Sequence, residues 1–266
     1  MREFLGFGGY MREPEGYLSW QHILFVSLLM IAMTALAVSL GLHFKNKDAK
    51  SKNKVLIWAA ILIDVLEIFK IVIFCWRGND PMGWLYELPL FLCSIQLITI
   101  PLSAFAKGRV KEAALDFVLI FGILGAVLGT IGAGQNYACY PVLSLDNVVS
   151  GLTHSISGFS SLYIAISGMS SMKRKNLPIT FAILTGFCIA AYITNRLIDY
   201  NYMFLMAGDG TPYDILFNLV KGSPVVYPIA VYALFVIYIL AFHSIFIAIT
   251  GKKARVQKSR PAEATE

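Results

Sequence analysis

Seven long apolar segments account for most of this 266-residue chain. They lie near residues 21–43, 55–75, 84–105, 112–133, 148–170, 177–199 and 225–249. Each approaches the ~20 residues that an α-helix needs to cross the hydrocarbon core of a bilayer. Because backbone polar groups inside lipid must find partners within their own segment, runs of this length predict helices. We therefore expect an all-α polytopic membrane protein, built as a seven-transmembrane helix bundle.

The composition agrees with that expectation and leaves no room for a separate soluble domain. Hydrophobic residues make up 57% of the chain and charged residues only 14%, against about 25% charged residues in soluble domains. We expect residues 1–20 to form an outer interfacial segment, residues 21–250 the transmembrane domain, and residues 251–266 a basic cytoplasmic tail.

Lysine and arginine are distributed unequally between the two sides of the predicted bundle. Sixteen lie in the loops at 45–54, 107–111 and 173–175 and in the tail at 252–260. Only four lie on the other side: Arg2, Arg12, Arg77 and Lys221. Cytoplasmic loops carry the excess of basic residues, which predicts an outward N-terminus and a cytoplasmic C-terminus. The net charge of +6 is then suited to anionic lipid head groups rather than to nucleic acid.

Ionisable or reactive side chains lie inside several of these segments, in the same outward-facing half. They are Glu67, Lys70, Cys93, His154 and Arg196. Such groups cost roughly 3 kcal/mol each in a membrane, so they usually face a cavity, a partner or a substrate. We expect Glu67 to pair with Lys70, three residues further on, and Arg196 to balance Asp64. This network would line a site for a lipid head group or an ion, or would only hold the helices in register.

Cys93 and His154 are the residues best suited to covalent chemistry. Measured from the predicted outer surface, His154 lies about 9 Å deep and Cys93 about 14 Å deep, so the two can meet across a shared cavity. A histidine beside a thiol can take its proton, and the resulting thiolate attacks acyl carbonyls. Gln96 and Asn195 are candidate donors to the oxyanion that forms in such a reaction. The alternative is that Cys93 serves only as a small apolar side chain.

Four glycines in the fourth segment predict close helix packing. Gly122, Gly125, Gly129 and Gly132 fall on one helix face, and small residues let membrane helices approach closely.

The remaining cysteines and histidines do not suggest a metal site or a cofactor, because the two membrane histidines lie in different halves and no close cysteine pair accompanies them. Cys75 and Cys139 are both expected on the outer side. They either form a disulfide or remain two free thiols.

Three short motifs, taken in chain order, carry a family resemblance. They are Leu-Pro-Leu-Phe-Leu-Cys-Ser at residues 88–94, His154 at the start of the fifth segment, and Asn-Tyr-Met-Phe-Leu at residues 201–205. The chain resembles the YwaF-like bacterial membrane proteins, which are relatives of the transmembrane protein 164 family. This resemblance implies a multi-pass protein of the bacterial cytoplasmic membrane. The chain differs from the family pattern at Phe91, where relatives often have a histidine.

The animal family is described as an acyltransferase that uses a cysteine to move a fatty acyl chain between phospholipids. The resemblance therefore implies Cys93 as nucleophile and His154 as its partner. In the acyltransferase hypothesis, we expect Lys70 and Arg196 to hold the lipid phosphate and Glu67 to orient Lys70. The alternative function is a non-enzymatic transporter or membrane sensor that uses the intramembrane charges. A structural scaffold is a third possibility.

Overall fold

The computed structural model describes the backbone of residues 1–170 and 172–259, and the side chains of residues 1–170 and 172–250. The regular secondary structure of the described residues is entirely helical, with no strand, which confirms the all-α prediction. Its α-helices are α1 (Trp20–Phe44), α2 (Ala49–Gly78), α3 (Gln96–Phe105), α4 (Gly108–Thr130), α5 (Gly134–Cys139), α6 (Leu145–Ser167), α7 (Leu177–Ile198), α8 (Tyr213–Leu219) and α9 (Val226–Ser259). The predicted basic tail, residues 251–266, lies outside the side chains that the structure describes.

Four stretches are long and apolar enough to cross a membrane, judged by length and composition. They are Trp20–Phe44, Gly108–Cys139, Arg174–Ile198 and Val226–Thr250. The stretch containing α4 is 67% buried across its most apolar window, whereas the other three are 17–22% buried. Helix α4 therefore lies at the centre of an integral membrane bundle, and α1, α7 and α9 present apolar faces outward. Helices α2 and α6 are 30 and 23 residues long but contain more polar side chains.

Helix α4 packs closely on α6, as the glycine face predicts. A Cβ built at Gly122 would lie 2.6 Å from the carbonyl oxygen of Ser157, so only glycine fits this approach. One turn away along α6, the Ser161 hydroxyl donates a hydrogen bond of 2.7 Å to the Leu119 carbonyl. This interface fixes α6, and with it His154, against the central helix.

The predicted third segment, residues 84–105, is not a continuous helix. A 3-10 turn spans Gly83–Tyr86, residues 87–95 are irregular, and α3 begins only at Gln96. Pro89 disfavours helix at the residue before it, and the Ser94 hydroxyl bonds both the N–H and the carbonyl of Phe91, at 3.0 and 3.1 Å. Irregular backbone inside a membrane bundle is tolerated where protein groups satisfy it. This break is what presents Cys93 on a turn instead of on a helix face.

The N-terminal segment docks on the first turn of α6. Tyr10 donates a hydrogen bond to Asp146 at 2.5 Å, and Arg77 holds the same carboxylate through two bonds of 2.6 Å. The Leu145 N–H donates to the Phe4 carbonyl at 2.9 Å. Burial and the hydrogen bond to Asp146 raise the pKa of Tyr10 to about 12. Residues 1–20 are thus tied to the end of the bundle where α6 begins.

A buried cysteine and histidine beside the central helix

Cys93 lies in the turn that leads into α3 and is partly buried. It lies two residues before Ile95, the N-cap of α3. N–H groups at the start of a helix favour negative charge, and a cysteine held there is a typical position for a reactive thiolate.

His154 lies on α6 with its ring orientation set by the preceding turn. Its Nδ1 is 2.7 Å from the carbonyl oxygen of Ser150 and 3.3 Å from the Ser150 hydroxyl. A carbonyl oxygen only accepts hydrogen bonds, so Nδ1 is assigned the proton and Nε2 the lone pair. His154 Nε2 is buried and has no hydrogen-bond partner among the described residues. An unpaired basic nitrogen in this position is available to a substrate or to a neighbouring thiol.

The central helix brings these two residues together. A Cβ built at Gly125 would lie 3.4 Å from Cys93 Cα, and one built at Gly129 would overlap the His154 ring. Residues four apart lie one above the other on a helix, so Cys93 and His154 occupy adjacent positions along one face of α4. The thiol and the imidazole are close enough to interact, although no well-aligned hydrogen bond joins them.

An ion network accompanies this pair. Lys70 Nζ is 2.6 Å from Glu67 Oε1 and 2.9 Å from Glu87 Oε2. The pairing of Glu67 with Lys70 is therefore confirmed, and Glu87 is a third member that joins α2 to the segment before α3. One cation between two carboxylates leaves a formal net charge of −1, and Glu67 is near enough to His154 to act on it electrostatically.

Gln96 is the first residue of α3, and both N–H donors of its side-chain amide are unused. The side chain is fully buried, and its oxygen accepts a hydrogen bond of 2.9 Å from the Thr99 hydroxyl. Its Nε2 has no partner among the described residues. A buried amide donor three residues after Cys93 fits the predicted role of hydrogen-bonding an oxyanion.

Asn195 and Arg196 are placed differently from the prediction. The Asn195 side chain is already used on Tyr202, where its oxygen accepts from the backbone N–H at 2.7 Å and its nitrogen donates to the carbonyl at 3.0 Å. Arg196 follows it on the helix and points away from the core, exposed. The predicted balance between Asp64 and Arg196 is wrong, because neither side chain has an ion-pair partner in the described part of the chain.

The loop at residues 200–207 contains the Asn-Tyr-Met-Phe-Leu motif of residues 201–205, and the structure gives it a role that the sequence did not reveal. The Tyr202 hydroxyl donates to the Leu85 carbonyl at 2.6 Å and accepts from the Leu88 N–H at 3.0 Å. The Phe91 ring packs edge-on against Tyr202, with ring centroids 5.0 Å apart. Through these contacts, the loop stabilises the irregular segment that carries Cys93.

The cysteine side chains form no disulfide in the described structure. Cys75, Cys93, Cys139 and Cys188 are all free, so the alternative with two outer free thiols describes the structure. Across residues 1–170 and 172–250, His, Cys, Asp and Glu form no group of three or more that could hold a metal ion.

Apolar helices of membrane length, packed around a thiol and an imidazole, define an integral membrane protein with a partly buried cysteine–histidine site. The chain belongs to the TMEM164 family, whose model matches residues 17–254. That range contains Cys93, His154 and the 200–207 loop. No significant match was found among curated proteins or among solved structures.

Proposed function

We propose that this protein is a membrane-embedded acyltransferase that moves a fatty acyl chain between phospholipids through a thioester on Cys93. The observation that carries the proposal is the placement of His154: its Nδ1 is fixed by the Ser150 carbonyl, which leaves an unpartnered Nε2 beside the thiol. A base whose orientation is set by a second group, next to a nucleophile, is the arrangement that covalent catalysis requires.

In the first half of the reaction, His154 Nε2 takes the Cys93 proton and the sulfur attacks the ester carbonyl of a donor phospholipid. A C–S bond forms, and the tetrahedral oxyanion collapses with cleavage of the ester C–O bond. The departing lysophospholipid oxygen takes the proton from the His154 imidazolium. In the second half, His154 removes a proton from the hydroxyl of an acceptor lysophospholipid. That oxygen attacks the thioester, the C–S bond breaks, and the thiol regains its proton.

Two further groups have proposed roles in this sequence of steps. The free Nε2 of Gln96 is the proposed donor to the oxyanion. Glu67, held by Lys70, is proposed to stabilise the imidazolium that forms on His154. Lys70 lies between two carboxylates, which makes it a poor ligand for the lipid phosphate. Arg196 is exposed and free of ion pairs among the described residues, so it remains the proposed phosphate ligand.

The proposed topology has seven crossings, with an outward N-terminus and a cytoplasmic C-terminus in the bacterial cytoplasmic membrane. Helix α3 has 10 residues, about 15 Å of rise, which is half of a bilayer core. The irregular residues 87–95 would complete the third crossing. A C-terminal green fluorescent protein fusion should fluoresce and a C-terminal alkaline phosphatase fusion should be inactive. The reverse result would invert the topology.

The activity test uses the full chain in detergent with a phospholipid labelled on one acyl chain and an unlabelled lysophospholipid. We expect label transfer by the wild type, loss of transfer in Cys93→Ser and His154→Gln, and a hydroxylamine-sensitive acyl group on Cys93. Cys139→Ser is the matched control, because Cys139 is an exposed thiol outside the site. Equal transfer by wild type and Cys93→Ser would remove the thioester from the mechanism.

A proton-coupled transporter or a sensor is the second candidate, and the Glu67–Lys70–Glu87 network favours it, since intramembrane carboxylates often mark ion paths. Liposome uptake that survives Cys93→Ala and disappears in Glu67→Gln would support this candidate over the enzyme.

A further inference from the structure

A second polar cluster lies at the opposite end of the bundle from Cys93, beside the lysine-rich loops. Asp116 on α4 accepts a hydrogen bond of 2.9 Å from Asn176 and another from the Ser170 hydroxyl. His243 on α9 is near enough to interact with the Asp116 charge. The acyl-transfer proposal uses none of these residues.

A cleft of about 340 Å³ opens between the start of α7 and α9 next to this cluster. Its lining includes Arg174, Leu177, Leu240, His243, Ser244 and Ile247. His243 is only 5% exposed, and its Nε2 has no hydrogen-bond partner among the described residues. A buried polar nitrogen at the wall of a largely apolar cleft is costly unless something polar enters the cleft.

The charge at the mouth of the cleft points to an anion. Arg174 is exposed and pairs with no carboxylate among the described side chains, whereas its neighbour Lys173 is paired with Glu112 at 3.1 Å. Arginine binds phosphate through several N–H groups at once. Arg174 at the mouth and His243 inside the cleft therefore offer two donors to one phosphate.

The walls of the cleft point to a lipid as the source of that phosphate. Leu240, which lines the cleft, is 44% exposed on the outer face of α9, and Ile237 one turn earlier is 64% exposed. This apolar face suits acyl chains, and the basic loops beside it favour anionic head groups. A small soluble anion would leave these apolar walls uncovered.

We propose that the α7–α9 cleft binds the phosphate head group of an anionic phospholipid, with Arg174 and His243 as its ligands and an acyl chain lying along Leu240. This site is separate from the acyl-transfer site and does not depend on it. Substitution of Cys93 should leave it intact.

The test uses the full chain in a mild detergent, titrated with phosphatidylglycerol or phosphatidylcholine of the same acyl chains. Bound lipid is read by native mass spectrometry and by the shift in melting temperature. We expect the wild type to be half-saturated at about tenfold less phosphatidylglycerol than phosphatidylcholine. The reason is that Arg174 and His243 favour the head group that carries a net negative charge. Arg174→Gln and His243→Gln should each reduce this preference to less than about twofold.

Lys175→Gln is the matched control, because Lys175 is an exposed basic residue in the same turn that does not line the cleft. It should keep the preference, as should Cys93→Ala. Arg174 is exposed, so its variant is expected to fold, and it decides the test if the His243 variant does not. An equal loss in Lys175→Gln and Arg174→Gln would overturn the site in favour of general attraction to the basic loops. Equal stabilisation by millimolar inorganic phosphate would overturn the assignment to a lipid.

Discussion

Gly129 and His154 are in direct contact across the α4–α6 interface, and the contact leaves no space for a side chain at position 129. A Cβ there would overlap Cδ2 and Nε2 of the His154 ring. One turn away, Gly125 has more room, since a Cβ would meet Cys93 Cα at 3.4 Å, an ordinary contact distance. Small residues let membrane helices approach closely, and here that approach sets the position of the proposed base.

Gly129→Ala should therefore displace the imidazole from the Cys93 thiol while leaving the bundle folded, because the ring can swing away. Loss of a general base lowers the rate of the catalysed step, here acyl transfer, by about 100-fold or more. The measurement is the rate of Cys93 alkylation by iodoacetamide, read peptide by peptide in a mass spectrometer, together with acyl transfer.

Gly186→Ala is the control for this change, because Gly186 is also inside a helix but a Cβ there meets nothing within 4 Å. It should alkylate at the wild-type rate. If Gly129→Ala alkylates at that rate as well, the position of the ring does not govern the thiol.

Features that depend on local spacing could be predicted from the sequence. Glu67 and Lys70 are three residues apart on one helix, so their pairing follows from helix geometry. The glycine face of α4 at Gly122, Gly125 and Gly129 follows from the same periodicity, whereas Gly132 lies beyond the end of α4 at Thr130. The shared depth of Cys93 and His154 could be estimated by counting residues from the ends of apolar segments, and the structure brings the two together.

Features that depend on distant partners could not be predicted in this way. The break at residues 87–95 is held by Tyr202, which is more than a hundred residues later in the chain. Asn195 and Arg196 are adjacent, so a rotation of α7 by one residue decides which of them faces the core. The sequence offers no local signal for that rotation or for which helices become neighbours. The Asp64–Arg196 prediction was wrong because α2, which carries Asp64, packs on α3 and α6, whereas α7 packs on α4 and α9.

Lys70→Met should destabilise the protein strongly. It would leave Glu67 and Glu87 facing each other without a cation, and removing one partner of a buried ion pair typically costs about 3–5 kcal/mol. The free energy of unfolding in detergent is the measurement.

Lys173→Met is the control, because the side chains of Lys173 and Glu112 are 46% and 38% exposed and an exposed pair contributes about 1 kcal/mol or less. The double variant Lys70→Met, Glu67→Gln should recover part of the loss. If Lys70→Met and Lys173→Met lose similar amounts of unfolding free energy, the Glu67–Lys70–Glu87 network is well solvated.

Gln96→Leu tests the proposed oxyanion donor. Removing one such donor costs about 100- to 1000-fold in kcat, with little change in KM, since the amide acts on the transition state. The melting temperature should fall only modestly, because the variant removes the acceptor of the buried Thr99 hydroxyl but also a buried Nε2 that has no partner in the described structure. Gln135→Leu is the control, as Gln135 is on α5 and bonds only weakly to the Asp209 carbonyl, at 3.5 Å. A large fall in melting temperature with unchanged kcat would assign Gln96 a structural role.

Tyr202→Phe should loosen the segment that carries Cys93 without removing any side chain from the site. The hydroxyl of Tyr202 satisfies the Leu85 carbonyl and the Leu88 N–H, and leaving buried backbone groups unpaired costs about 1–3 kcal/mol each. We expect a lower melting temperature and faster hydrogen exchange confined to residues 85–95. Tyr192→Phe is the matched control on α7, because no hydrogen bond of its hydroxyl is found among the described residues. If residues 85–95 exchange at the same rate in both variants, the Tyr202 hydroxyl does not hold this segment, and the break before α3 must be maintained by Pro89 and Ser94 alone.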